Sequence, residues 1–271
     1  MNRIGLPFAY SASLRSASAK SAFCERRVNA TIETARDLPY IRVVDNQRLR
    51  RPPFFSHPAT AWVFPFAVFI ALIALQKLFP IPAPVRFFII IAAIATVSRE
   101  PLRGRPSAPL LSILLGLAVF VLWVGPDVIA PVWRHSILFN NPIVGEPAGN
   151  TPPASKNDPI FLLFRIAISV IAVPILEELF WRGWLMRWLI DSENFERVPL
   201  GAYAPMAFWL AAVLFASEHG SFWDVGLLTG VIYNWWMVRK RNLWDCILAH
   251  AVTNAALAAY VVLAGQWQYW L

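Results

Sequence analysis

The sequence predicts an all-α fold: a polytopic transmembrane helical bundle of about seven spans (range six to eight) behind a basic N-terminal arm. Three observations carry this. Of 271 residues, 58% are hydrophobic and 15% charged, against about 25% charged and about 45–50% apolar in an ordinary soluble domain. Several uncharged apolar runs reach or approach the roughly 20 residues that a helix needs to cross a bilayer. The cations are also confined. Ten of the 24 Lys and Arg lie within residues 1–60, and most of the others cap the ends of apolar segments, as positive-inside topology requires. A net charge of +8 could point to nucleic acid, but this placement argues for a lipid bilayer and against nucleic acid as the partner.

Each element follows in order. Residues 1–57 are rich in Ser, Ala and Arg, lack helical or strand periodicity and read as a mostly disordered basic arm. They have neither the apolar core nor the small-residue cleavage site of a signal peptide. Residues 58–132 hold three N-terminal spans, at 61–79, 81–98 and 109–132. A Pro/Gly/Asn-rich loop, 133–158, contains GEPAGNTPPASKND and reads as irregular. The remaining spans form a core at 159–264, with segments at 159–190, 203–219, 222–238 and 243–264. With the N-terminus in the cytoplasm, 18 Lys and Arg fall inside and four outside, which predicts an N-in, C-out protein of a bacterial inner membrane. Trp133, Trp267 and Trp270 sit near span ends as interfacial anchors.

The segment 159–190 is too long for one straight crossing: 32 residues make a helix of about 48 Å, against a hydrocarbon core of about 30 Å. Pro174 lacks a backbone donor and predicts a kink or break just before Glu177 and Glu178. Those glutamates and Arg182 lie in the run PILEELFWRGW, where charge is most costly. Glu178 and Arg182 are spaced i,i+4 in the favoured acid-first order. In a soluble helix this would be a structural ion pair. At the bilayer centre each charge costs at least about 2.5–3.5 kcal/mol, so function becomes the default reading. Glu177 is rotated about 100° from Glu178 around the helix and needs another partner.

Later spans supply candidates. One reads FWLAAVLFASEHG, with Phe215 and His219 at i,i+4; the last reads CILAHAVTNAAL, with His250 and Asn254 at i,i+4. A lone histidine in an apolar helix is more often a satisfied core residue. Two of the chain's four, one of them with an asparagine on its face, favour a shared polar site built by helix association. A glutamate withdrawn from water can act as a general base near neutrality, and a His/Asn pair can donate to a developing oxyanion. Cys24 and Cys246 are far apart and form no disulfide framework. Nothing activates Cys246 as a partner of His250. HExxH is absent, while a zinc site of Glu177, His219 and His250 stays open as an alternative.

Together, Glu177-Glu178 with Arg182, Phe215 with His219, and His250 with Asn254 match the motifs EExxxR, FxxxH and HxxxN. In that order, on separate apolar helices, they resemble the CAAX protease and bacteriocin-processing (CPBP, or Abi) family of glutamic intramembrane proteases, related to the type II CAAX prenyl endopeptidase. The resemblance covers roughly residues 159–264. It implies a membrane-embedded endopeptidase acting on a peptide or protein substrate in or at the membrane, with no obligatory cofactor. It also implies that Glu177 and His219 activate water, His250 and Asn254 form the oxyanion hole, and Glu178 and Arg182 support the site. The extra spans, with LWVGPD at 122–127, resemble a bacterial subgroup associated with exosortase and PEP-CTERM sorting systems. Two other classes compete with a protease: a non-catalytic peptide-binding or immunity-type membrane protein, and a proton-coupled transporter. Substrate, prenylation and oligomeric state are not written in these residues.

The span boundaries create one tension. A helix over 203–219 places His219 about 12 Å from the midplane, whereas a shared water needs it within hydrogen-bond reach of Glu177. A shallower fifth helix, or an offset fourth, is required.

Overall fold

The computed structural model describes residues 57–270, apart from 148 and 150; the predicted basic arm falls outside the described residues but for His57. Seven helices follow within them: α1 (Thr60–Gln76), α2 (Ala83–Val97), α3 (Pro109–Ile129), α4 (Pro159–Trp188), α5 (Pro205–Ser217), α6 (Trp223–Lys240) and α7 (Leu243–Ala264). Short 3-10 turns join them, and the only extended pairing among the described residues is a bridge between Asn141 and Gly145. The protein is an all-α integral membrane bundle.

The helix starts have local causes. A proline occupies one of the first two positions of α2, α3, α4 and α5, where a missing N–H costs nothing and φ is already set. Asp158 caps α4 by accepting from the amides of Ile160 and Phe161. Asn242 caps α7 by accepting from Trp244, and Gly265 ends that helix at φ 69°, a left-handed conformation that glycine adopts without penalty.

Of the seven, α3, α4 and α7 are individually long and apolar enough to cross a membrane; α1, α2 and α5 are apolar but shorter. Two expectations change. First, Pro174 does not break α4, which runs without interruption from Pro159 to Trp188. A π-helical stretch at Ile168–Ala172 ends two residues before the proline, and a second follows at Leu179–Leu185. Widened turns of this kind absorb the hydrogen bond that proline cannot donate. Second, α5 has 13 residues, about 20 Å, and ends before His219. That histidine therefore sits in the turn after a short helix, where it lines one cavity with Glu177.

The core lies between the helices, and the outward faces are left for lipid. Phe66, Ile90, Ile168, Leu176, Trp181 and Phe215 bury the contacts of α1, α2, α4 and α5. By contrast, Leu110, Leu114, Leu117 and Val121 of α3 stay exposed. The closest packing joins α3 to α7. A Cβ on Gly116 would come within 2.4 Å of the Ala249 carbonyl oxygen, so a small residue is required at that crossing. Asp245 of α7, fully buried, closes the same pair from below. It accepts from the amides of Ser107 (3.1 Å) and Ala108 (2.9 Å) and from the Ser107 and Ser112 hydroxyls. It thereby satisfies amide donors at the start of α3 that the helix cannot pair itself.

Candidate active site

Four of the predicted residues meet at the centre of the bundle. Glu178 is fully buried, and its Oε1 accepts from Arg182 Nη1 at 3.1 Å and from His250 Nδ1 at 2.9 Å. The i,i+4 pair survives even though the π-helical stretch begins between its members. Arg182 directs two further donors to the Asn234 side-chain oxygen (3.0 Å) and the Gly230 carbonyl (3.4 Å), and its guanidinium lies 4.5 Å over the Phe215 ring. Asn234 is itself locked by donating to the Phe208 carbonyl. A buried ion pair is secure only when its spare donors and acceptors are also met, and α6 supplies most of what Arg182 needs.

Glu177 is held differently. It is buried, and its Oε2 has no hydrogen-bond partner and lies 4.0 Å from His250 Nε2. It lines a cavity of about 640 Å³ whose wall also includes Glu218 and His219. His219 is half-buried. Its Nδ1 lies 2.8 Å from the Phe215 carbonyl oxygen, which acts only as an acceptor, so Nδ1 carries the proton and Nε2 is free to accept. The spacing of FxxxH thus has a backbone meaning: the carbonyl of the Phe sets the tautomer of the His. Trp123 packs against the same ring, with centroids 5.3 Å apart.

His250 and Asn254 do not form a matched pair of donors aimed at one point. His250 is turned toward the two glutamates, with Nδ1 on Glu178. Asn254, one turn further along α7, donates from Nδ2 to the Ser169 carbonyl at 2.7 Å, inside the first π-helical stretch of α4, and does not line the cavity. The alternative zinc set is not gathered either: among the described residues no three His, Cys, Asp or Glu form a group able to hold a metal ion. Cys246 is buried below His250, near the Tyr233 carbonyl and the Met237 sulfur.

Sequence reading alone overlooks three contributors, all on α6. Asn234 orients Arg182, Gly230 accepts from it, and Gly226 leaves room for the His219 ring. The available signal was the spacing Gly226-Leu227-Leu228-Thr229-Gly230, a small-xxx-small pattern that marks close helix contact, with a lone asparagine one turn later.

As it stands, the arrangement offers one braced carboxylate, one unbraced carboxylate and an accepting imidazole nitrogen facing a cavity. These are the parts needed to hold and deprotonate a water. Residues 159–256 match the Rce1-like family model, described as type II CAAX prenyl endopeptidase Rce1-like. All three motifs fall within the match, while LWVGPD at 122–127 lies outside it, so the subgroup suggested by that stretch gains no support. No curated protein and no solved structure matches the chain.

Proposed function

We propose, from the match of residues 159–256 to the Rce1-like family model and the geometry of its site, a glutamate-dependent intramembrane endopeptidase that cleaves a membrane-associated peptide or protein. The observation that carries this reading is the contrast between adjacent carboxylates: Glu178 is bound through Oε1 by both Arg182 and His250, its Oε2 being left without a partner, whereas Glu177 lines the cavity with its buried Oε2 unpartnered and no such brace. A structural ion pair needs only the first of these.

In the proposed reaction a water sits between Glu177 and His219, one hydrogen directed at the carboxylate and the other at Nε2. Glu177 takes a proton as the water oxygen attacks the peptide carbonyl. The resulting oxyanion is met by His250, donating from Nε2 while Nδ1 stays bonded to the Glu178 carboxylate. The proton on Glu177 then passes to the leaving amine. Asn254 joins the oxyanion site when its bond to Ser169 yields on substrate binding. No cofactor takes part in this scheme. We place the protein in a bacterial inner membrane, N-terminus in the cytoplasm and C-terminus outside, on the cation distribution.

Glu177→Gln keeps the shape of the side chain and removes the base. Hydrolysis of a cleavable peptide by purified protein in nanodiscs should fall about 10²–10⁴-fold, with thermal unfolding unchanged. Retention of most activity would overturn the assignment.

A further inference from the structure

The stretch LWVGPD, in the last turns of α3, lies outside the matched residues 159–256, yet two of its side chains reach the site. Trp123 and Asp127 are spaced i,i+4 and share one face of that helix. Trp123 is buried and donates from its indole N–H to the Thr229 hydroxyl at 2.9 Å. Its ring lies against both His219 and Phe222, with centroids 5.3 and 6.0 Å away. Asp127, one turn on, accepts from the Tyr269 hydroxyl at 2.8 Å and pairs with Arg134, in the 3-10 turn Trp133–His135 after α3.

Arg134 is only 4% exposed. Its Nη1 donates to the Ser221 carbonyl at 2.9 Å and to Asp224 at 3.0 Å, and its guanidinium lies 4.2 Å over the Phe222 ring. These three residues follow His219, which opens the 3-10 turn Gly220–Phe222 leading into α6. The loop after Arg134 presses on the same turn. The Val144 carbonyl accepts from the Ser221 hydroxyl at 3.3 Å, and a Cβ on Gly220, whose φ is 51°, would come within 2.9 Å of that carbonyl oxygen. A buried guanidinium is costly unless its charge and donors are met. The α5–α6 contact does not require one, because Gly230 already lets α6 approach the Ala212 backbone directly. What Arg134 fixes is the course of the chain beside His219.

We infer that Arg134 and the LWVGPD residues Trp123 and Asp127 position His219 against Glu177; this rests on the peptidase reading of that pair. Trp123 acts on the imidazole by ring contact. Arg134 is a positioning residue that acts through the backbone two residues on and through Phe222, which Trp123 also touches. Asp127 anchors Arg134. The site is thus completed by side chains from outside the matched core.

The test is a double-mutant cycle on purified protein in nanodiscs. Arg134→Gln should lower kcat about tenfold with KM within about twofold. In a His219→Gln background, where there is no imidazole left to position, it should change the residual rate less than about twofold. Arg134→Lys keeps a cation between Asp127 and Asp224 and should lose less than the glutamine variant, again only while His219 is present. Hydrogen exchange needs no substrate: amides of residues 219–223 should exchange about ten times faster in Arg134→Gln while those of α7 keep their rates. Unchanged exchange in that turn overturns the proposal, and so does an equal fold-loss of kcat with and without His219, which is the result a merely structural role gives. If His219→Gln leaves hydrolysis intact, the peptidase reading fails and this inference with it. If His219→Gln abolishes most hydrolysis while folded Arg134→Gln and Arg134→Lys lose none, only this inference fails.

Discussion

Gly226→Ala isolates the placement of His219 from the integrity of the fold. A Cβ at position 226 would lie 3.1 Å from His219 Cγ and Nδ1 and 3.2 Å from its Cβ. Comfortable carbon contacts start near 3.5 Å, so the ring must withdraw by about 0.4 Å. It has little freedom to do so without cost, because Nδ1 is bonded to the Phe215 carbonyl and Trp123 packs against the ring. A misplacement of about 1 Å in a catalytic group can cost about 100-fold; scaled logarithmically, 0.4 Å costs about sixfold. We therefore expect kcat to fall about five- to tenfold with KM little changed. Stability should move less. Alanine in a helix interior gains about 0.5–1 kcal/mol over glycine, which offsets much of an overpacking cost at the low end of about 1–3 kcal/mol. Peptide hydrolysis in nanodiscs, read beside thermal unfolding of the same sample, gives both quantities. Unchanged kcat in a folded variant would refute the positional role of His219, and a loss of activity that merely tracks a loss of folded protein would refute the separation argued here.

Three further outcomes follow from other contacts. Arg182→Ala leaves Glu178 buried with one partner fewer and should destabilise the protein by about 3–5 kcal/mol, measured by unfolding in detergent; adding Glu178→Gln should recover part of that loss. Asp245→Ala strips the cap from α3 and should cost about 1–3 kcal/mol while kcat of the surviving folded protein stays the same. Treatment with 1,10-phenanthroline should leave hydrolysis intact, and a loss restored by added zinc would replace the carboxylate-water scheme with a metal-dependent one.

The sequence is informative wherever a feature depends on near neighbours in the chain. The α7 boundaries, Leu243–Ala264, follow from an apolar run set between an asparagine cap and a glycine stop. The Glu178–Arg182 contact follows from i,i+4 spacing alone, and Glu177 could be marked as the carboxylate left over from it. Features set by tertiary contact were not legible. Nothing in FxxxH announces that the Phe carbonyl would fix the His tautomer, or that Asn254 would bond to Ser169. Arg134 counts only as a loop cation until α3 and the turn before α6 close around its guanidinium. Pro174 was legible as a perturbation, but its effect depended on whether the preceding turn could widen, and local pattern does not encode that choice.

The two π-helical stretches of α4 bracket the acidic pair. Their consequence concerns chain register. A widened turn accommodates additional chain length within a helix, and each residue added or removed turns everything beyond it by about 100°. The first stretch lies between the capped start of α4 and Glu177, so it sets the rotation of the base relative to that end. The second begins between Glu178 and Arg182 and tunes how the brace meets its acid. In an ideal α-helix of the same sequence, Glu177 would look elsewhere. The aim of the carboxylate is therefore a matter of residue counting along a single helix, and a one-residue insertion or deletion there would change the chemistry without changing a single side chain of the motif.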